Sequence, residues 1–333
     1  MKRNKTATYI LCIFLIILQQ GFSAPVKAFL LAGQSNMVGT GNIMDLPAHL
    51  NGPQPDVMIY TAGTQEHGWI TLEPGVGAST GSFGPEVTFG KDISSAFPGE
   101  PIALIKIAWS GTSLAYDWRP PCAGNTLGRL YTEFVDNVRN ALATYPGSRE
   151  IEIMGMCWMQ GESDASNIYP ASDYEANLIC FINDIRNEFT LPAMPFVIAM
   201  IDRTDVWVEY EVVRQAQVRV AQTLSAIGIF DTDDYPTDGS HYYAEGLIMM
   251  GSDFAVNILP LLSGVVEPEF LSGDVDRDGG IDIIDALLVA QYYVNLNPAN
   301  FFPAQADVNR SGDITIIDAL LIAQYYVGLI HDF

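Results

Sequence analysis

Basic side chains are scarce in this sequence: 16 lysines and arginines stand against 39 aspartates and glutamates, for a formal net charge of −23. Nucleic acid is held by clusters of Lys and Arg, and no such cluster occurs, so it is excluded as a partner. Long apolar runs are also lacking. The run at residues 9–18 reaches only about half of the roughly 20 residues that a membrane-spanning helix needs. Lys2, Arg3 and Lys5 precede it, and Gly21, Ser23 and Ala24 follow, which is the layout of a secretory leader cleaved after Ser23 or Ala24. Residues 1–24 are therefore expected to be removed, leaving a secreted, extracellular protein with no membrane attachment. Cysteine is as sparse. Cys12 leaves with the leader, and Cys122, Cys157 and Cys180 allow one pair at most. Their spacing fits neither a disulfide framework nor a zinc site.

What remains is rich in core-forming residues, 49% hydrophobic over 333 residues, enough for two domains. Short apolar segments at 27–31, 102–107, 151–158, 196–201 and 227–230 alternate with helical patterns at 85–96, 127–144, 174–189, 209–224 and 241–259. Strands apolar on both faces, separated by helices, predict an α/β fold: a five-stranded parallel sheet sandwiched by helices, spanning residues 25–262. In such a sheet the functional site lies beyond the C-terminal strand ends.

The alternation stops near residue 262. Residues 263–271, with Gly264 and Pro268 and no periodicity, read as a linker. Beyond it residues 281–294 (IDIIDALLVAQYYV) recur at 314–327 (ITIIDALLIAQYYV) with 12 of 14 positions identical. Each copy follows a loop of alternating oxygen-bearing residues. Asp274, Asp276, Asp278, the carbonyl of Gly280 and Asp285 occupy positions 1, 3, 5, 7 and 12 of an EF-hand-type loop, with Gly279 at the turn. Asp307, Asn309, Ser311, the carbonyl of Asp313 and Asp318 do so in the second, with Gly312 at the turn. Three carboxylates on one short loop repel one another without a cation, so two structural calcium ions are expected. Residues 272–333 resemble a type I dockerin, a small all-α calcium-binding module, in carrying Asp at position 12 and one loop and helix per repeat. The resemblance implies a cohesin domain of a cellulosome scaffoldin as partner. Positions 10 and 11, often small hydroxyl residues in that family, are here Ile283 and Ile284, then Ile316 and Ile317.

The first strand runs into Gly33-Gln34-Ser35-Asn36-Met37, which puts a serine where backbone N–H groups can face a ligand. Histidine is scarce too, with only His49, His67, His241 and His331. His241 follows the last strand and stands three residues after Asp238, which can fold back and accept the Nδ1 proton. Gln160, after the central strand, and the backbone N–H of Gly111 are candidate oxyanion donors. Glu162 and Asp164 offer a rival acid/base pair, but one Ser-His-Asp set explains more residues. Gly77-Ala78-Ser79-Thr80-Gly81 fits a nucleophile-elbow spacing yet has no strand leading into it. Arg214 reads equally as structural or substrate-binding, and Trp109, Tyr116 and Trp118 as packing.

Together with Gly84-Pro85-Glu86, residues 158–164 and residues 214–217, these motifs resemble the SGNH hydrolases, specifically carbohydrate esterase family 6 and the sialate O-acetylesterase domain. That resemblance implies a flavodoxin-like SGNH fold, Ser35 as nucleophile, His241 as base, Asp238 as its orienter, Gly111 and Gln160 as oxyanion donors, and no cofactor for catalysis. With the dockerin it implies an acetylxylan esterase acting on acetylated plant polysaccharide. The alternatives are a sialate or other glycan O-acetylesterase, or a non-catalytic carbohydrate-binding scaffold subunit.

Overall fold

The computed structural model describes residues 24–63, 65, 67–124, 126–262, 272–276, 280–296, 298, 301, 303–309, 311–330 and 333. Leader residues 1–23, the linker at 263–271, Asp278, Gly279 and His331 lie outside them. The chain divides into two compact units between residues 263 and 264. Among the described residues no helix is long and apolar enough to cross a membrane.

The first unit is built on a sheet of seven strands: β1 (Val26–Gly33), β2 (Gln54–Gly63), β3 (His67–Leu72), β4 (Ile102–Ala108), β5 (Ile151–Met159), β6 (Phe196–Ala199) and β7 (Ile227–Phe230). Their order is β3-β2-β4-β1-β5-β6-β7, all parallel except the edge strand β3. The sheet is therefore larger than the five strands expected. The additional pair is a hairpin on one edge, and its first half disguises it. Gln54, Pro55 and Asp56 are polar or ring-restricted, and the β2–β3 register shifts between Gln54 and Met58, which lets Pro55 sit where no ladder bond is needed.

Helices cover both faces: α1 (Ser35–Val38), α2 (Glu86–Ala96), α3 (Arg129–Thr144), α4 (Ile168–Glu188), α5 (Tyr210–Thr223) and α6 (Ala244–Ile258). Helix α4 begins six residues earlier than its periodicity suggests, because Pro170 falls in the first turn, where its missing N–H costs nothing. Conversely α6 begins at Ala244, leaving His241 in a turn closed by the Thr237–Tyr242 bridge. Strand β1 is buried along its length except at Lys27. It lies at the centre of the sheet, and the chain adds strands first on one side of it and then on the other. Ser35, immediately after β1, thus stands at the point where strand order reverses. Trp118 meets Phe134, Trp158 and Phe181 edge to face, and Trp158 and Phe181 are tilted against each other. Cys122 and Cys180 form a disulfide, and Cys157 is a free, buried thiol whose pKa burial pushes up.

In the second unit, α7 (Ile283–Tyr293) and α8 (Ile316–Tyr326) pack on Val275, Ala286, Val289, Ala306, Val308, Ala319 and Ile322. Both helices start with a reciprocal capping box, Asp282 with Asp285 and Thr315 with Asp318.

Candidate active site and calcium loops

The turn after β1 is set by backbone geometry. Gly33 has φ +148°, and a Cβ there would lie 1.9 Å from the carbonyl oxygen of Met159, so only glycine fits. Gln34 N–H donates to that carbonyl at 2.9 Å, holding the turn against β5. Ser35 then opens the four-residue helix α1 and is 7% exposed. The far end of α1 is anchored by Lys106, on β4. Its buried ammonium donates to Val38 O at 2.7 Å, to Val76 O at 3.2 Å and to Glu86 Oε2 at 2.6 Å. Burial lowers the Lys106 pKa, and the Glu86 carboxylate opposes that. No local pattern marks Lys106, which looks like one polar residue in an apolar strand.

The base candidate is held by its own turn. Asp238 Oδ1 accepts the N–H groups of Ser240 at 2.8 Å and His241 at 2.7 Å, while Asp238 N–H donates to His241 O at 3.0 Å. Those N–H bonds, His241 first, hold the Asp238 carboxyl below its usual range, and the charge of His241 adds to this. Asp238 does fold back toward His241, but it does so on the main chain. The turn of Ser35 is tied to that of His241 by Asn36, the next residue of α1. Its Nδ2 donates to Ser240 O at 3.3 Å and its Oδ1 accepts from Tyr242 N–H at 3.2 Å, so one buried amide grips the chain on both sides of His241.

Glu162 accepts from Asn36 Nδ2 at 2.7 Å. It is buried, its Oε2 has no partner among the described residues, and burial pushes its pKa up to about 7. Asp164 is buried as well and pushed up to about 6, chiefly by burial. It accepts from Leu114 N–H at 2.7 Å, Ala115 N–H at 2.9 Å and Gln160 Nε2 at 2.6 Å. Asp164 is thus committed to protein groups through both oxygens and Glu162 to Asn36 through one, which fits tying loops better than acid/base work on a glycoside.

Gln160 departs from expectation. It is fully buried, and its amide donates to Asp164 and to Thr112 O at 3.0 Å, which spends both protons. The side chain expected to face an oxyanion instead fixes the loop that carries Gly111. Gly111 itself is exposed at the C-terminal end of β4 with φ +69°. Arg214 is buried and structural: its guanidinium binds Ile201 O, Asp231 and Asp233, joining the loops after β6 and β7. Of the three aromatics, Trp118 is core, Trp109 packs on it, and Tyr116 is 63% exposed. Ser79 sits in an exposed turn bonded to Ser82. His49 lies in a separate surface depression beside Lys91. Beside the base turn lies a cavity of about 850 Å³, lined among others by Asn42, Asp45, Asp238, His241, Tyr243 and Glu245.

In the second unit, carboxylate oxygens of Asp274, Asp276 and Asp285 lie within 4.8 Å of one another. Burial, with the charge of Asp274 contributing, raises the Asp285 pKa, a penalty that a divalent cation at this donor set removes. In the second loop Asp307 accepts from Ser311 N–H at 3.0 Å and Gly312 N–H at 2.8 Å, and Asp318 from Asn309 N–H at 3.3 Å. The Asp313 carbonyl accepts from Ser311 Oγ at 3.0 Å.

Residues 25–260 match the family model for carbohydrate esterase, sialic acid-specific acetylesterase. The chain belongs to this family. Residues 272–326 match the type I dockerin domain, a calcium-binding module whose partner class is cohesin. A protein of Arabidopsis thaliana described as a probable carbohydrate esterase is 25% identical over 252 residues, covering 69% of this chain and 89% of its own length. The crystal structure of an Arabidopsis thaliana protein superposes with a TM-score of 0.58 at 22% identity, covering 71% of this chain and 99% of that one. A carbohydrate acetylesterase from Xanthomonas citri gives 0.55 at 18% identity, covering 71% and 56%. At these identities the two superpositions speak for the fold, and the esterase family assignment rests on the sequence match.

Proposed function

We propose that this esterase is a secreted serine acetylesterase that removes acetyl groups from a plant cell-wall polysaccharide such as xylan, through an acyl-enzyme. Ser35 Oγ attacks the acetyl carbonyl carbon as its proton passes to His241; the protonated His241 gives that proton to the departing sugar oxygen. Water, deprotonated by His241, then releases acetate and restores Ser35. Asp238 is the proposed orienter of His241. The N–H groups of Ser35 and Gly111 are the proposed oxyanion donors, and the 850 Å³ cavity beside His241 is the proposed place for the sugar.

One observation carries the reading. The Asn36 amide reaches Ser240 and Tyr242 across more than 200 residues of sequence, so it ties the turn of the serine to that of the histidine. The leader at 1–24, the esterase domain at 25–262, the linker at 263–271 and a dockerin at 272–333 holding two calcium ions complete the proposal, with a scaffoldin cohesin as partner. That combination favours a cell-wall substrate; an O-acetylated sialic acid is the second reading, favoured by the family match. Ser35→Ala is expected to lower acetate release from aryl acetates and acetylated xylan by more than about 10³-fold. Retained activity refutes the nucleophile. Faster release from O-acetylated sialic acid than from xylan selects the second reading.

A further inference from the structure

We propose that Glu162 is a positioning residue for this hydrolysis: its buried carboxylate fixes which way the Asn36 amide points, and Asn36 thereby holds His241 against Ser35. The proposal rests on the assignment of Ser35 and His241 as nucleophile and base.

A carboxamide presents a donor at one end and an acceptor at the other, and the two can exchange by rotation. At Asn36 the donor end meets Glu162 Oε1 at 2.7 Å and Ser240 O at 3.3 Å, and the acceptor end meets Tyr242 N–H at 3.2 Å. Reversing the amide would set its oxygen against a carboxylate and a carbonyl, and its NH₂ against an N–H. Glu162 offers the shortest of these contacts and only accepts in its ionised form, so it excludes the reversed state. Its neutral form keeps Oε1 as an acceptor with the proton on Oε2, so the arrangement survives in either charge state.

Glu162 is itself firmly placed. Gly161 has φ +145°, and a Cβ there would meet Val213 Cγ1 at 2.9 Å and Ile201 Cγ2 at 3.0 Å. The preceding carbonyl, Gln160 O, accepts from Tyr174 Oη at 2.7 Å and Gln217 Nε2 at 3.2 Å. A buried carboxyl with one oxygen unpartnered among the described residues costs stability, and that cost is tolerated where it sets geometry. Neither Asn36 nor Glu162 lines the cavity beside His241, so neither has a direct contact with a sugar there to lose, and the effect of disturbing them is expected to fall on the placement of His241.

The test is aryl acetate hydrolysis by the calcium-loaded full chain, with Ser35→Ala as reference for the site assignment. Glu162→Ala is expected to lower kcat about 100-fold with KM within about twofold, the signature of a displaced catalytic group. Glu162→Gln keeps a carbonyl acceptor and should recover at least about tenfold of that loss. Asn36→Ala should match Glu162→Ala, and the double variant should be no worse than either single one, because both act through one contact. Should Glu162→Ala fail to fold, low kcat in Asn36→Ala beside high kcat in Glu162→Gln decides for the proposal. It is overturned if Glu162→Ala keeps kcat within about threefold, if the loss falls on KM, or if the two losses add. An active Ser35→Ala instead overturns the site assignment.

Discussion

The two buried acids beside the site make the stability of the esterase unit fall as pH rises. Glu162 is moved from 4.5 to about 7 and Asp164 from 3.8 to about 6, in both cases mainly by burial. At about 1.4 kcal/mol per pH decade, each shift corresponds to roughly 3 kcal/mol. Below the unfolded pKa, near 4, both states hold the proton and the contribution is fully present. Between there and the folded pKa the unfolded chain releases a proton that the folded chain keeps, so rising pH favours unfolding. Above about 7 the loss is complete. The assay follows from composition: all five tryptophans lie before residue 208 and none in the calcium-binding unit, so tryptophan fluorescence in urea reports the esterase unit alone. Wild type and Glu162→Gln are compared at pH 4.5 and pH 7.5, conditions chosen about the shifts of this carboxyl. Relative to the variant, wild type should lose about 3 kcal/mol across that interval. Equal pH dependence in the two proteins, or a wild type that gains on the variant as pH rises, refutes the reasoning.

Two further outcomes can be checked on the same protein. The Cys122–Cys180 bond closes a loop with a sequence separation of 58, so replacing both with serine should cost about 4 kcal/mol by the chain-entropy relation. A loss in the urea titration below about 1 kcal/mol would sink that account. Chelating calcium should abolish the helical circular dichroism of residues 272–333 while aryl acetate hydrolysis persists, because the esterase unit has its own core. Parallel loss of both signals would show that the units depend on one another.

Local pattern made part of this molecule readable. The two dockerin repeats are legible because their acidic residues fall at fixed spacings within twelve residues, and Ser35 stands out as a candidate because it follows the end of β1. What escaped reading depends on pairing across the fold. Strand β2 was hidden by Pro55 and a register shift that only its partner reveals. Lys106 resembles an accidental charge until Glu86, Val38 and Val76 converge on it from separate segments. Gln160 had the right chemistry for an oxyanion donor and the right strand end. Its amide is nevertheless spent on Asp164, four residues on, and on Thr112, 48 residues away. Residue type and position can nominate a donor, but competition among buried acceptors decides where it points.

The same competition explains the apolar surface of the dockerin. Helices α7 and α8 bury Ala286 and Val289, and Ala319 and Ile322, yet leave Ile283, Ile284 and Leu287 exposed at 47–51%, with Ile316, Ile317 and Leu320 over the same range. A helix that is apolar on its outer face as well as its inner one requires a second surface to cover it. The capping boxes of Asp282 with Asp285 and Thr315 with Asp318 fix the start of each helix, where those isoleucines stand. The repeats agree residue for residue at these positions, so each helix presents the same aliphatic face at matching exposure. For a module of the dockerin type, whose partner class is cohesin, a paired aliphatic face of this kind is a surface that a partner could cover.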